Sequence, residues 1–169
     1  QRMHIIARSM LQDSIETIRS RDEDMMDDVQ ARDEEIDKFN WMVGKQYNFI
    51  SKDVYFADKM GITPQEALGY LLVARAVERI ADHSTKIAFN SRILNVGSEN
   101  IDDVMDVSKR VVELFDNSME GFFRCNFVYS DTLVREARDI GKRLETISKE
   151  IMRKEGEPAS LVSMAYILD

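Results

Sequence analysis

Residues that break helices are scarce in this chain, and that scarcity constrains its fold more than any other feature. The 169 residues include only Pro64 and Pro158, with seven glycines, whereas Leu, Met, Glu, Asp, Lys and Arg dominate. Such a composition favours long helices with few interruptions over sheets. We therefore predict an all-α fold.

Apolar residues recur at three- and four-residue spacing along most of the chain, which is typical of helices that bury one face. The strongest helix start is Thr63-Pro64-Gln65-Glu66, which combines an N-cap hydroxyl, a proline in the first turn and a glutamate that can reach back. In the first half, the first predicted helix ends at about Ser20, the second follows a turn within 21–28 and ends at Met60, and the third runs from Pro64 to about Leu94. In the second half, a fourth helix begins at Ile101, a fifth follows a turn near 125–130, and a sixth runs from Pro158 to the end.

The two halves of the chain resemble each other. Asp13-Ser14-Ile15-Glu16 matches Asn117-Ser118-Met119-Glu120, and Thr63-Pro64 matches Glu157-Pro158 after a shorter loop. A single helical stripe cannot bury itself, so a set of three helices repeated once is the natural arrangement. We predict two tandem antiparallel three-helix bundles, at 1–95 and 99–169, the second of them truncated.

Two pairs of acidic residues could form a site. Asp33 and Asp37 lie four residues apart on the second predicted helix, and Glu78 and Asp82 lie four apart on the third. Each pair projects two carboxylates from one helical face. If the two faces meet, four carboxylates converge and a cation would neutralise them. In a chain with 31 Asp and Glu, however, such pairs can also decorate a solvated face.

The neighbours of these carboxylates allow several roles. His83 could be a ligand, an outer partner of a ligand, or a surface residue. Arg75 and Arg79 could tether an anion or pair with acidic residues of another helix. Oxygen ligands favour magnesium, calcium or manganese, but iron and zinc also accept carboxylates, so the residues leave the metal open.

Other functions lack support in the sequence. The net charge of −8 and the absence of a basic run argue against nucleic-acid contact, and no apolar stretch is long enough for membrane insertion. The lone Cys125 favours a reducing, cytoplasmic location. Trp41, Tyr47 and Tyr70 are assigned to packing. No glycine-rich phosphate loop or Glu-x-x-His pair is present, so we expect no enzymatic activity.

The segment Glu78-Arg79-Ile80-Ala81-Asp82-His83, followed by Lys86-Ile87-Ala88, resembles the third helix of PhoU domains. The earlier segment Asp33-Glu34-Glu35-Ile36-Asp37 resembles the second-helix motif of the same family, and the resemblance extends over nearly the whole chain. It implies tandem three-helix bundles and metal clusters held by the acidic motifs. It also implies a dimeric cytoplasmic regulator that restrains the phosphate-specific ABC transporter and its sensor kinase when phosphate is plentiful.

The sequence departs from the family pattern in three places. Ala137 and Gly141 occupy the second-half positions of Asp33 and Asp37, and the second copy of the Glu78 motif would fall beyond Asp169. Asn40 stands where many members carry glutamate, one turn beyond Asp37. We therefore expect a single metal site, with Asn40, Arg79 and His83 as outer partners. The nearest resemblance is to archaeal proteins in which a PhoU region follows an AbrB-like domain.

Two hypotheses follow from these residues. In the first, the protein is a non-enzymatic regulator that binds iron, zinc, magnesium or manganese at Asp33, Asp37, Glu78 and Asp82. In the second, it is a metal-free helical scaffold that acts through protein contacts, and its acidic faces are simply solvated.

Overall fold

The computed structural model describes residues 1–93, 98–126, 128 and 130–154. Within these residues all regular secondary structure is helical, which confirms the predicted all-α class. The helices are α1 (Arg2–Ser20), α2 (Glu23–Lys52), α3 (Val54–Met60), α4 (Pro64–Ser91), α5 (Ser98–Phe123) and α6 (Ser130–Lys154).

The connection between α1 and α2 is the predicted tight turn. Arg21 adopts a left-handed conformation with φ 57°, and its backbone N–H donates to the Thr17 carbonyl, which ends α1. Asp22 then caps α2, because its side chain accepts a hydrogen bond from the Met25 backbone N–H at 3.1 Å. The chain therefore reverses direction within two residues, although no glycine or proline marks the turn.

The prediction of one continuous helix as far as Met60 was wrong. Asp53 has extended backbone angles, φ −129° and ψ 104°, and separates α2 from the short α3. Its side chain accepts from the Phe56 backbone N–H at 3.1 Å and so caps α3. Apolar periodicity continues across Asp53, so it gives no warning that a local cap competes with helix continuation. Gly61, at φ 63°, provides the expected left-handed end.

The start of α4 confirms the predicted capping box. The Thr63 hydroxyl accepts from the Glu66 backbone N–H at 3.2 Å, and the Glu66 carboxylate accepts from the Thr63 backbone N–H at 2.8 Å. Pro64 occupies the first turn, where the missing N–H removes no helical bond. These contacts fix the residue at which α4 begins, and so they fix the positions of its later side chains along the helix axis.

Helices α1, α2 and α4 pack together as the predicted first bundle. The centre contains Met10 and Ile18 from α1 and Val29 and Ile36 from α2, all at most 1% exposed. Helix α4 contributes mainly small residues to this interface, which allows its backbone to approach both partners closely. Its buried small residues are Ala67, Ala74, Ala81, Ser84, Ala88 and Ser91.

Helices α5 and α6 extend the same hydrophobic core. Val104 and Phe115 of α5, with Ile140 and Ile147 of α6, are buried in one cluster with the residues of the first bundle. Helix α5 begins at Ser98, inside the break predicted at 95–100. The helix predicted from Pro158 lies outside the described residues, so the three-helix form of the second bundle stays a prediction.

A polar contact joins the two halves of the chain. Arg8 of α1 donates through Nε to both carboxylate oxygens of Asp116 on α5, at 2.7 and 2.8 Å. Nε2 of His4 lies 3.1 Å from the same carboxylate, and the His4 ring meets the Phe115 ring edge-on at 4.9 Å. We refer to His4, Arg8 and Asp116 as the α1–α5 clasp.

The three aromatic residues assigned to packing have different environments. Trp41 is 62% exposed and carries the Lys45 ammonium group 3.6 Å from its ring centroid, so its assignment to packing was wrong. Tyr70 is half exposed but contacts the Phe122 ring. Tyr47 packs on the small cluster formed by Ile50, Ala57 and Ala67.

Candidate metal centre

The four predicted carboxylates lie along the interface between α2 and α4. The register of this antiparallel pair is given by Gly44, where an added methyl group would lie 4.0 Å from Cδ1 of Leu71. Asp37 lies two helical turns before Gly44 on α2, and Glu78 lies two turns after Leu71 on α4, so Asp37 and Glu78 are at the same level along the pair. One further turn brings Asp33 level with Asp82. The expectation that the two acidic faces meet is therefore consistent with the packing of α2 on α4.

Asp33 has the most unusual environment of the four. Its Oδ1 atom is buried and has no hydrogen-bond partner within the described residues. Burial, followed by the negative charges of Asp82, Asp37 and Glu78, raises the pKa of Asp33 from its ordinary value of 3.8 to about 6. A buried oxygen without a donor is costly to maintain, and it marks Asp33 as the point where a positive charge would be stabilised most.

Glu78 shares this electrostatic environment. Burial raises its pKa, and the charges of Asp82 and Asp37 raise it further. Arg79 and Arg75 act in the opposite direction on Glu78. Both arginines are exposed, and neither forms an ion pair among the described residues. Their effect does not offset burial and the two neighbouring carboxylates, because the pKa of Glu78 remains raised.

The side chains of the four residues do not form a finished ligand set. In the part of the chain that the structure describes, no three Asp, Glu, His or Cys side chains are grouped closely enough to hold a metal ion. The carboxylates thus lie within range of one another's charge but not at ligand distance around a common point.

The three expected outer partners lie close to the acidic residues along α2 and α4. His83 is half-buried beside Asp82 on α4, and Asn40 is half-buried one turn beyond Asp37 on α2. No hydrogen bond joins either residue or Arg79 to an acidic residue of the site, as far as the structure describes the chain. Their roles stay predictions.

Arg32 was not among the predicted site residues, although it directly precedes Asp33. It contacts two acidic residues and a serine, and its side chain is only 20% exposed. An arginine next to an acidic motif has no distinctive signal in one sequence, because its partner Asp13 lies on another helix. Only the packing of α1 on α2 reveals the contact.

The family model described as PhoU domain matches residues 1–90, which is just over half of the 169 residues. The chain belongs to the PhoU family. A search of the curated proteins found no match, and neither did a search of the solved structures.

Membership of the PhoU family relates the chain to phosphate transport. The family consists of helical regulatory proteins rather than enzymes, and it acts with proteins of the phosphate transport system. The match contains α1 to α3 and nearly all of α4, and so includes the four acidic residues. None of the described helices is both long enough and apolar enough to cross a bilayer.

Proposed function

We propose that this PhoU protein is a cytoplasmic, metal-binding regulator of phosphate uptake. In this proposal it restrains the phosphate-specific ABC transporter and its sensor kinase when phosphate is plentiful, and it works as a homodimer. The observation that supports metal binding most directly is the buried, unpartnered Oδ1 atom of Asp33, in the field of three further carboxylates.

The residues at the α2–α4 interface fit a hard cation. Asp33, Asp37, Glu78 and Asp82 supply only oxygen donors, which suit magnesium or manganese and are also accepted by iron and zinc. The four carboxylates would hold the ion, and its positive charge would offset their mutual repulsion.

The alternative is a metal-free helical scaffold that acts through protein contacts. The lack of a preformed ligand group among the described residues favours it. So does the strong exposure of large apolar side chains such as Trp41 and Tyr55, since exposed apolar patches often mark protein contacts. The two functions differ in one measurable property, which is the metal content of the purified protein.

The deciding experiment measures metal content after chelation and reloading. The parent is compared with a variant carrying Asp37→Asn and Asp82→Asn, and with a control carrying Asp58→Asn and Asp106→Asn. The control loses the same charge from exposed positions outside the site. We expect the parent and the control to keep stoichiometric metal and the site variant to lose it. Equal metal in all three proteins would mean that the proposed site is wrong.

Regulation of transport needs a separate measurement. Phosphate uptake by cells that express the parent should be lower in high-phosphate medium than uptake by cells that express the site variant. The control should behave like the parent. If the site variant restrains uptake as well as the parent does, the metal site has no part in regulation, and the scaffold hypothesis is favoured.

A further inference from the structure

Arg32 connects α2 to α1 through one guanidinium group. Its Nη2 atom lies 2.6 Å from Oδ2 of Asp13, and its Nη1 atom donates to the Ser9 hydroxyl. Both partners belong to α1. The planar fork of arginine can bind several acceptors at once in a fixed geometry, which the single ammonium group of lysine cannot do.

The same guanidinium also contacts the preceding turn of its own helix. Nη2 lies 2.8 Å from Oδ2 of Asp28, and Nε donates to the Asp28 backbone carbonyl at 3.3 Å. These contacts fix the conformation of the Arg32 side chain before it reaches α1. Because Asp28 holds the Arg32 side chain, the contacts of Arg32 with α1 also fix the α2 backbone relative to α1.

Asp33 depends on its helix for its orientation. It follows Arg32 directly, so the two side chains leave α2 about 100° apart. Arg32 faces α1 while Asp33 lies towards α4, and any rotation of α2 about its axis moves both together. The Oδ1 atom of Asp33 has no hydrogen-bond partner of its own within the described residues. No local donor therefore holds this oxygen at the α2–α4 interface.

We infer that Arg32 is a positioning residue for the acidic site, which holds Asp33 towards α4 by fixing the rotation of α2 against α1. The inference rests on the proposed metal-binding function and extends it to a residue that is not a ligand. Residues that orient metal ligands typically contribute 10- to 100-fold to metal affinity. Arg32 would do so through the backbone and not through a contact with the carboxylate.

The chain offers a matched control for this role. Arg2 and Glu35 also join α1 to α2, with Nη2 of Arg2 2.6 Å from the Glu35 carboxylate, but both side chains are well exposed. An exposed ion pair constrains its helices weakly. Glu35→Gln therefore removes an ion pair between the same two helices without changing the contacts of Arg32.

The test uses two readouts on folded protein. The first is the dissociation constant for Mn²⁺, measured by calorimetry. The second is the set of nuclear Overhauser effects between the Asp33 β protons and protons of α4 in chelator-treated protein, which reports the rotation of α2. We expect Arg32→Ala to weaken Mn²⁺ binding about 10- to 100-fold and to weaken these effects. Arg32→Lys should restore only part of the affinity, and Glu35→Gln should change neither readout.

Each outcome bears on the inference separately from the proposed function. If the effects between Asp33 and α4 are unchanged in Arg32→Ala, the inference is overturned whatever the metal affinity. If the parent binds no Mn²⁺ but these effects weaken in Arg32→Ala, metal binding fails while the positioning of Asp33 by Arg32 stands. Should Arg32→Ala not fold, Ser9→Ala combined with Asp13→Ala removes both acceptors of Arg32 on α1 and is expected to give the same two changes.

Discussion

Asp33 and Asp82 face each other across the α2–α4 interface, and after burial the charge of Asp82 is the largest cause of the raised pKa of Asp33. The two residues lie on helices that are joined through α3 and the capping box at Thr63. The relationship therefore depends on the register of an antiparallel helix pair and not on a local motif. The proximity of the two negative charges destabilises the folded chain when no cation is bound.

The contribution of Asp33 to the stability of chelated protein should fall as the pH rises from about 4 to about 6. Because the pKa of Asp33 is higher in the folded chain than its ordinary value of 3.8, the folded state binds the proton more tightly. This contribution is fully present below the ordinary pKa and is lost as the pH rises through about 6. Asp33→Asn should therefore stabilise the chelated protein at pH 7, by about 1 kcal/mol after allowance for solvent screening.

Urea unfolding at several pH values in the presence of chelator checks this expectation. The difference in free energy of unfolding between Asp33→Asn and the parent should grow from pH 4 to pH 7. Asp58→Asn, which removes an exposed carboxylate outside the site, should show no such growth. A constant difference between Asp33→Asn and the parent across this range would contradict the raised pKa.

The start of α4 should be sensitive to the loss of its cap. Thr63→Ala removes the hydroxyl that accepts from the Glu66 backbone N–H at 3.2 Å, and losses of this kind cost about 1 kcal/mol. The Thr63 side chain and backbone also lower the pKa of Glu66, so Thr63→Ala should raise that pKa. Chemical denaturation and a carboxyl titration by NMR measure the two effects. Thr63→Ser keeps the hydroxyl and should retain both properties.

The first bundle could be predicted from the sequence because each of its signals is local. The apolar stripes, the Thr63 cap and the acidic pairs depend on residues a few positions apart. The break at Asp53 escaped prediction because an aspartate inside a periodic stripe can serve either as a surface residue or as a cap. Only the packing of α3 against Ile50 and Ala67 selects the cap.

The contacts between helices could not be predicted in the same way. His4 and Asp116 are far apart in the sequence, and neither has a neighbour that indicates a partner. The same is true of Arg32 and Asp13, which meet because α1 and α2 pack in one particular register. The four carboxylates were grouped from their spacing and from the resemblance to PhoU domains, and their grouping as a metal site stays a prediction. Whether their oxygens reach a common metal ion depends on side-chain positions that spacing does not determine.

The α1–α5 clasp should contribute to the stability of the whole chain. Asp116→Ala removes the acceptor of Arg8 Nε and the partner of the His4 ring, in a half-buried position. Hydrogen bonds to charged groups contribute roughly 1.5 to 3 kcal/mol, and partial exposure places the expected loss near 1 to 2 kcal/mol. Glu113→Ala changes an exposed residue of the same helix and should be nearly neutral. Urea denaturation of both variants measures the difference, and equal midpoints would show that the clasp contributes nothing.

Metal addition should stabilise the parent and not the variant that lacks Asp37 and Asp82. Binding to the folded state alone adds about 2.7 kcal/mol when the free metal concentration is 100 times the dissociation constant. The parent should therefore show a rise in melting temperature that grows with Mn²⁺ concentration. The control carrying Asp58→Asn and Asp106→Asn should show the same rise, since it keeps all four carboxylates of the site. A general effect of divalent ions on an acidic protein would stabilise all three proteins equally, whereas binding at the α2–α4 interface separates the site variant from the other two.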